Sequence, residues 1–478
     1  MATASARTHL LSIPPPCSHP YSEAPRKHYK LQQLLARRHF IQNRFIVGID
    51  PAKARHQAQI LSADGLPVGS SFSFAHSFSG FNHHLWKHLY ARLPDLAHLK
   101  RHRFNECLAF AIETSCNLWA NLTDYLHREH ACIVLVSPLS TCHARPSKSG
   151  DFSRTDAKDA YLIADLARDA RFHFHTCYTA DQQAMHCLAI TYDKFRKSLQ
   201  QHYARLRASI ERLFPELLGV LKLRSRTARH LLGSYLFPED FLALDVEREA
   251  AMLMQISRAQ HGRETLLKLQ VRARHTIGVS LSQAEQHAER RSVSAWLRLV
   301  EALEAEIRET TVHLIRLSKE TPYHAQLVSI KGISDLLAAL FLAEVRDPSQ
   351  ITHTGQVERL AGLKLYMHDS GTYSGRRRIS HRGNARLRWV LYRMASETAK
   401  YVPEVRLKYL RRKLNGHTNR NKNLVAVIPK VLALILALVR EDRPYEEREA
   451  TLLEMHRLEA ELERKHPSKR HRPARAAA

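Results

Sequence analysis

From Phe45 the chain alternates short, continuous apolar runs with longer stretches of helical period. "RFIVGID" reads as a buried strand, and "HQAQILSADGLPVGSSFSF" as a hairpin turning at Ala63-Asp64-Gly65. "GFNHHLWKHLYARL" follows at helical period, "ECLAFAIET" is a second buried strand, "NLWANLTDYLHREH" a helix and "ACIVLVS" a third buried strand. A polar, basic loop, "HARPSKSGDFSR", leads into "TDAKDAYLIADLARDA". That segment predicts a helix with an apolar stripe at Ala160, Ile163, Ala164 and Ala167, widened by Leu162 and Leu166. Antiparallel-type strands followed by strand–helix–strand–helix units predict an α/β domain over residues 43–178.

Residues 179–320 contain almost no strand pattern. Val300, Leu303, Ile307, Leu314 and Leu317 form a coiled-coil-like seam, which suits packing within a bundle and dimerisation equally. Residues 321–442 read as a mostly helical domain. Within it, Ile330-Lys331-Gly332-Ile333 before an apolar helix resembles a helix-hairpin-helix, whose turn amides face a phosphate. The most apolar window, 423–442, is interrupted by Pro429 and Lys430, and a buried helix is expected there rather than a membrane span. Residues 443–478 read as a helix and a basic tail. Residues 1–42, rich in Pro, His and Arg, are expected to be a poorly ordered basic extension, with too short an apolar run for a secretory signal.

Charge changes the picture more than composition does. The 478 residues carry 73 Lys and Arg against 46 Asp and Glu, a formal net charge of +27. Such an excess repels itself unless a polyanion meets it, which points to a nucleic acid or an anionic surface, and the lack of a span favours nucleic acid. The seven cysteines form no C-x-x-C pair, so neither a zinc ribbon nor a disulfide framework is read, and a reducing interior is expected.

Against this basic background four acids stand out. Asp50 closes the first strand in "VGID", Glu113 closes the second buried strand in "AIET", and Asp156 and Asp159 lie three apart in "TDAKDA". Each has an ordinary alternative: Asp50 caps a turn, Glu113 anchors the next helix, and Ser153 with Asp156, or Asp156 with Asp159, caps a helix. If the two strands are neighbours and the helix docks beside them, all four converge at one sheet edge. Hard oxygen ligands then favour Mg²⁺ or Mn²⁺, and two such ions would clamp the attacking and leaving oxygens of a phosphodiester.

In the order D…E…D-x-x-D, "FIVGIDPAK", "AIETSCNLW" and "RTDAKDAYLIA" resemble the DEDD set of a bacterial insertion-sequence transposase family. "LVSIKGISDLLAALFLAEV", "ERLAGL", "DSGTYSGRRRISHRGNARLRWVLYRMA" and "NLVAVIPKVLALILALV" resemble that family's C-terminal domain in order and spacing. The match spans about residues 43–440 and extends to the related invertases of pilin genes. The resemblance implies an RNase H-like (RuvC-like) α/β N-terminal domain, a helical middle and a mostly α C-terminal transposase domain. It also implies a serine that attacks DNA, carboxylates that bind metal ions, and a homo-oligomer, dimer or tetramer, whose two domains build a composite site. A bridge RNA as guide and a cytoplasmic, nucleoid-associated location in a bacterium are likewise implied.

On that resemblance Ser370, nine residues before Ile379 of "ISHRGN", is the nucleophile, and Ser374, which also precedes a glycine, is its rival. A serine hydroxyl is weak by itself and needs a metal, a base or electrostatic help. Arg376, Arg377 and Arg378 are placed to stabilise charge on the phosphate, and Arg382, Arg386 and Arg388 to hold nucleic-acid backbone. Trp389 and Tyr392 read as helix core. Two other readings stay open: a RuvC-like nuclease using metal-activated water, and a non-catalytic nucleic-acid-binding scaffold.

Overall fold

The computed structural model describes residues 29–115, 117–148, 155–176, 178–366, 369–370, 373–374 and 378–465. The chain divides into two compact units, Met1–Cys177 and Tyr178–Ala478.

The first unit is built on a six-stranded sheet in the order β3-β2-β1-β4-β5-β6. In chain order its elements are α1 (Tyr29–Ile41), β1 (Phe45–Asp50), β2 (Arg55–Leu61), β3 (Phe72–Ala75), α2 (Leu85–Arg92), α3 (Arg101–Glu106), β4 (Leu108–Glu113), α4 (Leu118–Arg128), β5 (Ile133–Val136), α5 (Pro138–Lys148), α6 (Asp156–Arg168) and β6 (His173–Phe174). Strands β1, β2 and β3 pair antiparallel, β4 runs parallel to β1, and β5 parallel to β4. The expected hairpin turns at Ala63-Asp64-Gly65, where Gly65 has φ +87° and its N–H donates to Ser62 O at 2.9 Å.

Period-two alternation sends the strand residues to two apolar layers. Val47, Ile49, Phe110 and Ile112 pack with Leu85, Trp86, Leu122 and Leu126 on one face. Ile46, Ala111 and Val134 pack with Ile163, Ala164 and Ala167 on the other, which confirms the apolar stripe of α6. Both faces of β4 are covered, so all six of its residues are buried.

Two expectations need correction in this unit. Residues 29–41, placed in the poorly ordered extension, form helix α1. Phe40 and the buried Ile41 pack against Phe172, Phe174 and Ala170, so local apolar docking outweighs the basic composition. The basic loop beginning at His143 is helical through Lys148. Pro138 opens α5, and buried Thr141 and Ala144 anchor its inner face, so the helix persists past Pro146.

The second unit is helical apart from small hairpins, among the described residues. Its elements are α7 (Ala180–Leu213), α8 (Leu217–Val220), α9 (Arg226–Ser234), α10 (Pro238–Ala243), α11 (Val246–Ser257), α12 (Arg263–Arg274), α13 (Gln283–Lys319), α14 (His324–Val328), α15 (Asp335–Val345), α16 (Thr354–Leu360), β7 (Leu365–Tyr366), β8 (Asp369–Ser370), β9 (Tyr373–Ser374), β10 (Arg378–Ile379), α17 (Ala385–Tyr401), α18 (Pro403–Leu414), α19 (Arg420–Glu441) and α20 (Glu449–Lys465). Helices α7 and α13 run alongside each other and bridge two cores. Leu206, Ile210, Val293 and Val300 belong to the first core; Met185, Ala189, Tyr192 and Leu314 belong to the second. The boundary expected near residue 320 therefore does not separate two cores, because the long helices feed both. The seam positions of α13 face partners within the chain: Val300 and Leu314 are buried, and Ile307 and Leu317 pack against the second core.

Helix α15 is apolar all round and buried from Leu337 to Glu344, the pattern of a central helix. Its cap is Ser334, whose hydroxyl accepts from Leu337 N–H at 3.3 Å, after a turn in which Gly332 has φ +95°. Helix α19 is long and apolar enough to cross a membrane by length and composition. It instead buries Leu424, Val427, Ile428, Val431, Leu432 and Ile435 in the second core, and Pro429 lies within one continuous helix.

Candidate functional site

Asp50 and Glu113 end neighbouring parallel strands: Ile49 pairs with Ile112, and each acid is the next residue. Strand parity places Asp50 with Ile46 and Gly48, and Glu113 with Ala111, on the face covered by α6. Gly48 is what lets α6 lie close. A Cβ there would stand 2.3 Å from Ala160 O and 2.5 Å from Ala164 N, so only glycine admits the helix backbone. Asp159 immediately precedes Ala160, and the first turn of α6 thereby comes to the carboxyl ends of β1 and β4.

Capping does not account for the acid pair on α6. The N-cap is Thr155, whose hydroxyl accepts from Lys158 N–H at 3.3 Å, so Asp156 and Asp159 are residues one and four of the helix. Ser153, the other cap considered, lies outside the described residues. Both acids favour the positive end of the helix dipole, yet they also repel each other's neighbours.

That repulsion bears on Asp50. Burial, followed by the charges of Glu113, Asp159 and Asp156, pushes its carboxyl from the usual 3.8 up to about 7; Arg145 opposes the shift. Glu113, buried at 7% exposure, is raised mainly by desolvation. Its opposing influences are the Thr141 hydroxyl, which donates to Oε1 at 3.1 Å, and the Arg145 guanidinium. Asp159 accepts a two-pronged bond from Arg145, Nε to Oδ1 at 2.9 Å and Nη2 to Oδ2 at 2.8 Å. Among the described residues no three His, Cys, Asp or Glu side chains stand grouped as a ready-made metal site. The donor chemistry nonetheless fits a hard divalent cation: the Asp50 carboxyl is buried beside acids whose charges reach it, and burial and those charges together raise it, a cost such a cation relieves.

Residues that sequence reasoning passed over support this corner. His56, fully buried on β2, accepts the Ala52 N–H through Nδ1 at 3.2 Å, and so holds the turn just after Asp50. With Nδ1 accepting, Nε2 carries the proton and donates to His76 Nδ1 at 2.8 Å. Burial and His76 hold the His56 pKa down to about 4. Thr141 and Arg145 come from the segment around α5. No spacing rule distinguishes Arg145 from the many other arginines of this chain.

In the second unit Ser370 lies on β8, which pairs with β9: Ser370 faces Tyr373 and Asp369 faces Ser374. β7 and β10 pair in the same sense outside it, Arg378 with Tyr366 and Ile379 with Leu365, so the chain runs out and back as nested hairpins. Ser370 and its rival Ser374 occupy opposite arms, one register step apart. Arg376 and Arg377 lie outside the described residues. Arg378 and Arg382 are exposed.

Arg386 and Arg388 depart from the outward role expected of them. Arg386 forks onto the buried Glu344, which Asn384 also meets through its side-chain amide. Asn384 in turn caps α17, accepting from Arg386 N–H at 3.0 Å and Leu387 N–H at 3.1 Å. Arg388 donates to Ala361 O at 2.8 Å. Both side chains thus clamp the loop that follows the hairpins, their N–H groups donating to a buried carboxylate and to the backbone carbonyls of Ala361 and His381. Trp389 and Tyr392 pack against the second core, as expected, and the Arg196 guanidinium lies 4.4 Å from the Trp389 ring centre.

Comparison with known proteins agrees with this layout. Residues 47–215 match a transposase family model described as DEDD, of the IS110 type, and residues 324–410 match the model of the transposase IS116/IS110/IS902 family. The chain is 25% identical over 410 residues to the insertion element IS116 uncharacterized 44.8 kDa protein of Streptomyces clavuligerus, covering 84% of this chain and 96% of that one. It is 26% identical over 312 residues to the insertion element IS900 uncharacterized 42 kDa protein of Mycobacterium paratuberculosis, covering 63% and 75%. The DEDD domain accounts for the α/β sheet as a RuvC/RNase H-like fold, a class that generally uses divalent metals. With its acids at the strand ends and its two halves matched in order, the chain belongs to the IS116/IS110/IS902 family of insertion-sequence transposases and is a DNA-binding, DNA-transposing protein.

Proposed function

We propose that this transposase cuts and rejoins DNA through the Ser370 hydroxyl, working with a divalent ion, Mg²⁺ or Mn²⁺, held by Asp50, Glu113, Asp156 and Asp159. The observation that supports the metal half is the placing of Asp50, whose carboxyl is lifted to about 7 by burial and then by the charges of Glu113, Asp159 and Asp156, the kind of perturbed acid that clusters at functional sites. A bound ion would polarise a phosphodiester oxygen and absorb its developing charge.

The serine Oγ forms a bond to phosphorus as a strand oxygen leaves, and a strand hydroxyl later reverses the exchange. One ester replaces another at each step, so no external energy source is consumed. Exposed Arg378 and Arg382 meet the backbone phosphates. The turn at Gly332 offers a further phosphate contact of helix-hairpin-helix type. A bridge RNA as guide, a dimeric or tetrameric assembly with a composite site, and action in the bacterial cytoplasm at the nucleoid complete the reading.

Strand exchange on a synthetic element end tests the assignment of the nucleophile. Ser370→Ala abolishes exchange while DNA binding persists, and Ser374→Ala retains it; the reverse pattern moves the role to Ser374. Metal-dependent nicking that survives Ser370→Ala identifies a water-using nuclease instead.

A further inference from the structure

The acidic corner already contains a cation of its own. Arg145 spends both prongs of its guanidinium on the two oxygens of Asp159. The pair is 29% and 19% exposed at its side chains, so solvent screens it less than an ordinary surface pair. The same guanidinium favours the charged forms of Glu113 and Asp50. Arg145 therefore stands in for part of the positive charge that four carboxylates call for.

We infer that Arg145 is a positioning residue, an internal counter-ion that holds Asp159 in a latched state and has to be displaced before a divalent ion gathers the acids. The inference rests on the metal-binding reading above. One geometric observation carries it. The fork takes up both Asp159 oxygens, the atoms a hard cation needs.

The helix carrying the latch is built to yield. Pro146 follows Arg145 and has no N–H to give the carbonyl of Cys142, so the last turn of α5 is the least firmly bonded. Asp159, by contrast, is set in the first turn of α6, next to the close contact of Ala160 with Gly48. Displacement consequently moves the arginine and leaves the carboxylate where the sheet and helix put it.

Mn²⁺ titration of the full-length protein, followed by thermal shift, separates the possibilities. In Arg145→Gln the metal-free protein melts lower and the titration midpoint falls about tenfold below wild type, since no internal cation competes. Arg145→Lys keeps a charge without the fork and gives a midpoint between the two. A midpoint in Arg145→Gln equal to or above wild type overturns the latch; if that variant does not fold, a midpoint in Arg145→Lys at or above wild type does so. Absence of any Mn²⁺ shift in wild type, or a full shift retained in Asp50→Asn, overturns the metal reading itself.

Discussion

The carbonyl oxygen of Ala160 stands 2.3 Å from the point where a side chain on Gly48 would begin. This one contact fixes how closely α6 lies on β1, and with it the position of Asp156 and Asp159 beside Asp50. Gly48→Ala must push the helix off the sheet, because the atom it meets is backbone and has no rotamer to change. The expected cost is about 3 kcal/mol, the upper part of the range for overpacking, read as a lower denaturant midpoint for the α/β unit. The Mn²⁺-induced thermal shift should shrink in the same variant.

Asp50 gives the protein a distinctive pH dependence. Its carboxyl holds a proton up to about pH 7 when folded, against 3.8 ordinarily, so the folded state binds more protons between those values. Stability therefore falls as pH rises from about 4 to about 7 and then levels. Asp50→Asn removes this contribution to the slope. At pH 8 and without metal the variant is expected to exceed wild type by on the order of 1–2 kcal/mol, after discounting for solvent screening of a partly exposed group. At pH 4 the two should nearly coincide, as chemical denaturation at each pH will show.

His56 works in the opposite direction. Its pKa is held down to about 4, below the ordinary 6.5, so its contribution is present above pH 6.5 and is lost as pH falls toward 4. In an Asp50→Asn background, where the most strongly raised carboxyl no longer titrates, this acid loss is opposed chiefly by the raised Glu113. Adding His56→Phe should abolish it, at a cost near pH 8 of about 1 kcal/mol for the Ala52 amide left without its acceptor. Melting curves from pH 4 to 8 check both effects.

The α/β core was legible because its strands are continuous apolar runs, such as Phe45–Asp50 and Leu108–Glu113, and because α6 has a clean stripe. The places of the acids, at two strand ends and in the first turn of α6, were legible for the same reason: strand ends and helix starts can be named once the elements are. What composition hid was α1, whose basic residues mask the docking of Phe40 and Ile41, and the helical turn around Arg145, which Pro146 disguises as loop. Pairings between distant residues, such as Arg145 with Asp159 and Arg386 with Glu344, leave no periodic trace in a single sequence. The apolar positions of α13 could be named from the sequence, but not the elements within the chain that Val300, Ile307, Leu314 and Leu317 pack among.

Glu344 holds the loop behind the serine hairpins. It is 6% exposed and receives both Arg386 and Asn384, so Glu344→Ala leaves the partly buried Arg386 guanidinium without its carboxylate. A loss of about 3 kcal/mol is expected, the lower part of the range for breaking a buried pair. Thermal denaturation of the full chain measures it. Strand exchange should fall further than the stability loss alone explains, because Asn384 also caps α17.

The central claim is that Ser370 becomes covalently joined to DNA. The direct measurement is to trap the protein on a suicide DNA substrate in Mn²⁺, digest it and map the adduct by mass spectrometry. The account predicts a phosphoester on the peptide containing Ser370, absent from Ser370→Ala and from Asp50→Asn. Cleaved DNA with no protein attached, or an adduct on any other residue, would contradict it.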